Sequence, residues 1–69
     1  MFEKKYLVTC DSNTEASQVK QTLDHLIKHV EFIAINKTVF YNERPNTGYD
    51  SRYLIGYAQG IYDFIRLNR

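Results

Sequence analysis

The chain has one cysteine, one proline, three glycines and no tryptophan in 69 residues, and these scarcities exclude several ways of holding so small a fold together. A lone Cys10 allows no internal disulfide and no multi-cysteine zinc site. It lies in an apolar run, where a thiol acts as a small buried hydrophobe suited to a reducing compartment. Long hydrophobic runs are also missing. The apolar stretch after Lys4 and Lys5 is broken at Thr9 and Asp11, unlike a secretory leader. The C-terminal apolar segment is too short for a bilayer and contains Asp63 and Arg66. We therefore expect a cytoplasmic protein without a membrane span, in which the Asn36-Lys37-Thr38 glycosylation pattern carries no meaning.

Charge of one sign is scarce as well. Nine basic and eight acidic side chains give a net charge of +1. Residues 1–36 hold four lysines against five acidic groups, and residues 37–69 hold five basic groups against three, so the halves stand at −1 and +2. That is too little for the steering field of a dedicated nucleic-acid binder. No linker, repeat or low-complexity tract divides the sequence, so residues 1–69 read as one domain. A domain of this size hides only about 60% of its extended-chain surface. With disulfides and zinc excluded, self-association is the remaining aid to stability.

What is present is an alternation of strand and helix patterns. Lys5 to Cys10 is β-branched and aromatic. Strict alternation puts Tyr6, Val8 and Cys10 on one face and Leu7 and Thr9 on the other, a strand fit to be covered on both sides. Asp11 to Thr14 is a turn, with Asn13 or Thr14 as the expected cap of a first helix. Val19, Leu23, Leu26, Ile27 and Val30 keep a helical period up to about His29 to Glu31. Phe32 to Tyr41 reads as β, either one strand or a hairpin turning at Asn36-Lys37, and we favour the hairpin. Asn42 to Asp50 is a loop, and Asp50 or Ser51 can cap a second helix. The expected fold is a small two-layer α+β domain of order β-α-β(-β)-α, with its helices packed on a two- or three-stranded sheet.

The segment Tyr53 to Leu67 carries more apolar surface than its own domain needs. As a helix it places Leu54, Tyr57, Ala58, Ile61 and Ile65 on one stripe. Tyr53, Phe64 and Leu67 extend it on one side, and Ile55 and Tyr62 on the other. Gly56 and Gly60, four apart, lie toward Tyr53 and Phe64, where a partner backbone can approach closely. A candidate protein interface follows: Tyr53, Gly56, Tyr57, Gly60, Phe64 and Leu67. Six tyrosines in so short a chain fit partly covered surfaces of this kind, because a buried ring still needs a partner for its hydroxyl. The loop offers a second candidate in Arg44, Tyr49 and Arg52, residue types that suit protein hot spots or a phosphate with a stacked base.

Reactive clusters are absent from the pattern. His25 and His29 are spaced to meet on one helix, but no third ligand accompanies them, so we expect no metal and no cofactor. Cys10 has no CxxC partner, and neither histidine falls within its reach. Asp11, Glu15 and Asp50 sit where capping residues collect. The expectation is a non-enzymatic regulatory or adaptor protein, acting through contacts with an unidentified protein and with itself as a homodimer. Size alone likens it to the accessory proteins of phages and mobile elements. The alternative is a small nucleic-acid binder using Arg44, Arg52, Arg66 and Arg69 across a dimer.

Overall fold

Alternating β-branched and aromatic residues extend the chain where the sequence predicts strands, and two amphipathic stretches coil between and after them. The computed structural model describes residues 1–44 and 47–68. Its elements are β1 (Lys4–Thr9), α1 (Asn13–Leu26), β2 (Phe32–Ile35), β3 (Thr38–Asn42) and α2 (Ser51–Leu67). This is the expected α+β order with the three-stranded option realised. The sheet is antiparallel throughout, in the order β1-β3-β2. Both helices lie on one face: α1 crosses β2 and β3, α2 lies over β1, and the helices touch each other.

The hairpin turns at Asn36 and Lys37, which both take positive φ, 51° and 67°. Such a two-residue turn matches the twist of the flanking strands. Lysine is an unusual occupant, because a Cβ crowds the left-handed region. Outside contacts hold it there: the Lys37 amide donates to Asn13 Oδ1 at 2.8 Å, and its carbonyl accepts from the Cys10 amide at 2.7 Å. Asn13 therefore tethers the hairpin tip rather than capping the helix. The cap is Ser12, whose Oγ accepts from the Glu15 amide at 3.1 Å and donates to the Glu15 carboxylate at 3.2 Å. A cap of this kind is worth about 1 kcal/mol.

Helix α1 stops earlier than its apolar period implies. It ends at Leu26, Ile27 is extended, and His29 has φ 71°. Ile27 and Val30 still reach the core from the turn beyond the helix, which is why the pattern continues after the helix has stopped. Leu26, by contrast, is left half exposed.

Strand β1 departs from strict alternation. Tyr6 pairs with Phe40 and Val8 with Val39, so Leu7 is an extra residue in a bulge. The bulge turns Leu7 and Val8 both inward, where they are buried, and leaves Tyr6 on the opposite face with Thr9. The expected division of Tyr6, Val8 and Cys10 from Leu7 and Thr9 is therefore corrected. The core gathers Leu7, Val8, Val19, Leu23, Phe32, Val39, Tyr41, Leu54, Ala58 and Tyr62, all on the helix side of the sheet.

Helix α2 starts from Asp50, whose carboxylate accepts from the Arg52 amide at 2.8 Å. Its buried line is Leu54, Ala58 and Tyr62, with Ile55, Tyr57, Ile61 and Ile65 half-buried beside it. The line runs through Tyr62 rather than through Ile61. The reason is polar: the Tyr62 hydroxyl accepts from the Asp11 amide at 2.7 Å, so its ring is buried while its oxygen is satisfied at the β1–α1 junction. Among the described residues no helix is long and apolar enough to cross a membrane.

Candidate interaction surfaces

Since α2 turns Leu54, Ala58 and Tyr62 inward, helical geometry sends the residues on its opposite side outward. Tyr53 is 50% exposed, Phe64 67% and Leu67 84%, and Gly56 and Gly60 are exposed as well. The structure brings five of the six candidate interface residues onto one outer face with Tyr57 half-buried at its border. Along this face Tyr49 stacks on Tyr53, with centroids 5.6 Å apart, and Tyr53 meets Tyr57 at 5.7 Å. The ladder was visible as tyrosines spaced by four, a signal that a loop assignment for Tyr49 hides.

Between the helices this face opens into a groove of about 530 Å³, lined by Thr22, Leu26, Gly56, Tyr57, Gly60, Ile61, Phe64 and Ile65. None of these side chains is charged. Gly56 and Gly60 have ordinary helical backbone, and a Cβ at either would meet nothing within 4 Å. Alanine would therefore fit both positions within this chain, and each glycine costs about 1 kcal/mol of helix propensity.

The loop candidates are divided. Arg44 lies beside Met1, Phe2, Glu31 and Asn42, while Tyr49 and Arg52 stand at the start of α2. Arg52 Nε is 3.8 Å from Asp50. Arg66 donates to Asp63 at 3.0 Å and lies 5.3 Å from the centre of the Tyr62 ring. Arg69 lies outside the described residues, as does part of the loop. Asn42 is the hub of the Arg44 region: its Oδ1 accepts from the Glu3 and Arg44 amides, and its Nδ2 donates to Glu31.

The second face of the sheet carries what the sequence reading missed. Strand pairing sets Tyr6, Phe40 and Ile33 in one row across the three strands, and Thr9, Thr38 and Ile35 in a second. Among the described residues no helix packs there. Tyr6 is 49% exposed, Ile35 is exposed, and Phe40 and Ile33 are half-buried. The Thr9 hydroxyl donates to the Tyr6 hydroxyl at 3.1 Å and lies 3.4 Å from that of Thr38, which lays the Tyr6 ring along β1. The Lys4 ammonium sits 5.5 Å from the centre of the Phe40 ring. The bulge at Leu7 is what places Tyr6 in this row, and alternation alone cannot reveal it.

The titratable residues singled out by the sequence take separate positions in the fold. Cys10 is buried, and its thiol is pushed up from 9.0 to about 11 by that burial, with Glu15 and Asp11 adding to the effect. Burial thus outweighs any help from the adjacent helix start. His25 occupies the last turn of α1, whereas His29 lies beyond its end at positive φ, so the two do not share a helix face. Among the described residues no three His, Cys, Asp or Glu side chains gather to hold a metal. Comparison with protein-family models, with curated proteins and with solved structures gave no match to this chain.

Proposed function

We propose that this is a non-enzymatic cytoplasmic binding protein that acts through the outer face of α2, and that its first partner on that face is a second copy of itself. The observation that carries the reading is the uncharged groove floored by Gly56 and Gly60 and walled by Leu26, Ile61 and Phe64. Two glycines that no neighbour inside the chain requires gain their purpose from a backbone or ring arriving from outside. The face is also self-complementary. It supplies projecting side chains, Phe64 and Leu26, together with the hollow that such side chains fill, which is what an isologous two-fold contact demands. An antiparallel pair of α2 helices about a two-fold axis also aligns the helix dipoles favourably. Its regulatory or adaptor role follows from a surface that binds and does no chemistry.

Light scattering on the eluting peak of a size-exclusion column tests this. The wild-type chain should run as a dimer at high micromolar concentration. Gly56→Ala with Gly60→Ala should shift it toward monomer, even though each alanine favours the helix by about 1 kcal/mol. Phe64→Asp should abolish the dimer without unfolding the chain, because Phe64 is exposed. A wild-type monomer, or a glycine double variant that dimerises as well as wild type, overturns the proposal.

A further inference from the structure

We infer that the helix-free face of the sheet is a stacking platform for single-stranded nucleic acid, with Tyr6 and Phe40 as the rings that take bases. This does not depend on the α2 contact, because the two surfaces lie on opposite sides of the sheet. Sheets read single strands by laying unpaired bases on aromatic side chains carried by neighbouring strands, while nearby cations follow the backbone. Tyr6 and Phe40 are directly paired across β1 and β3, close enough to act on adjacent bases. The Tyr6 hydroxyl accepts from that of Thr9 at 3.1 Å, and the Lys4 ammonium lies 5.5 Å from the centre of the Phe40 ring. Phe40 is half-buried on this face, and the Lys4 ammonium covers its ring. Incoming phosphate can draw the flexible lysine aside as a base takes its place.

Charge selects nucleic acid over a second polypeptide layer. Lys4 stands at one end of this face and Lys37 at the exposed hairpin tip at the other, about 17 Å apart along β3 at an ordinary strand rise. The strand positions of the face, Lys4, Tyr6, Thr9, Ile33, Ile35, Thr38, Phe40 and Asn42, include no carboxylate. Glu31, just before β2, accepts from the Asn42 side-chain amide. Lys5 points to the other side and lies 3.9 Å from Glu43. A second copy stacked here would strip water from Lys4 and the threonine hydroxyls and offer no anion in return. A phosphate backbone supplies that anion.

Fluorescence anisotropy with labelled mixed-sequence single-stranded DNA and RNA, and a duplex of the same sequence, provides the test. At low ionic strength single strands should bind in preference to duplex. Tyr6→Ala should weaken binding about tenfold or more, the loss of one stacked base, while Tyr6→Phe should stay within about twofold of wild type. Lys4→Gln with Lys37→Gln should weaken binding and reduce the slope of log affinity against log salt by about 1.4, two phosphate contacts on a single strand. If Tyr6→Ala melts early, the lysine pair decides instead. Absence of binding at low salt, equal loss in Tyr6→Phe and Tyr6→Ala, an unchanged salt slope in the lysine pair, or a change of oligomeric state in Tyr6→Ala each overturns the inference. Loss of the dimer in Phe64→Asp with oligonucleotide binding intact would leave this platform standing alone.

Discussion

Cys10 and Lys37 are joined by a single backbone hydrogen bond, and each is the wrong residue for its place in an instructive way. Burial holds the Cys10 thiol neutral far above the pH at which an open thiol ionises. The folded state therefore binds the thiol proton more tightly than the unfolded state does. Stability is unaffected below pH 9 and falls between pH 9 and about 11, where only the unfolded chain releases the proton. Urea melts at pH 8 and pH 10 should show this fall, and Cys10→Ala should flatten it; an equal fall in the variant would put its origin elsewhere, as in the raised hydroxyl of Tyr41. Lys37 carries the opposite lesson. Its left-handed backbone is strained for a lysine, whereas the bonds that fix it come from its main chain. Lys37→Gly should keep those bonds, relieve the strain and raise stability by about 0.5 kcal/mol, measurable as a higher urea midpoint with unchanged slope.

Element by element, the sequence is legible where one local period rules and obscure where a tertiary contact overrides it. The two helices, the strand starting at Phe32 and the Asp50 cap all follow from spacing and capping chemistry. So does the hairpin, because Asn36 accepts positive φ more readily than most residues. The Ser12 cap was also readable, since Ser12 and Glu15 are spaced as a capping pair, but the run of polar residues after it offered rivals. Asn13 looked like a cap because its true acceptor duty, toward Lys37, spans the fold. The Leu7 bulge left no trace in composition, and with it went the position of Tyr6 and the whole second face of the sheet. Tyr62 was assigned to the flank of α2 because nothing in a helical wheel announces that a backbone amide at Asp11 awaits its hydroxyl. The outer residues Tyr53, Phe64 and Leu67 were legible for the complementary reason: helical spacing puts them across α2 from its buried line.

At the scale of the whole molecule, one layer of helices on one side of a three-stranded sheet leaves two surfaces uncovered, one apolar on α2 and one aromatic and cationic on the strands. A fold this small has little stability of its own to spare, so an associating surface becomes part of its thermodynamics. The proposed dimer would stabilise the folded form by mass action. The melting temperature of the wild-type chain should consequently rise with protein concentration, while that of Phe64→Asp should not; a wild-type melt independent of concentration would separate stability from assembly. Single-stranded oligonucleotide should raise the melting temperature of both chains alike, because its platform is on the other side of the sheet.

The central strand is β3, and both of its neighbours precede it in the chain. On the ribosome, Leu7 and Val8 therefore emerge long before Val39, against which β1 must pair. Until β3 has cleared the exit tunnel, β1 has no strand to pair with and its edge stays open. The time taken to add the residues that follow Asn42 thus sets how long that edge is at risk of joining something else.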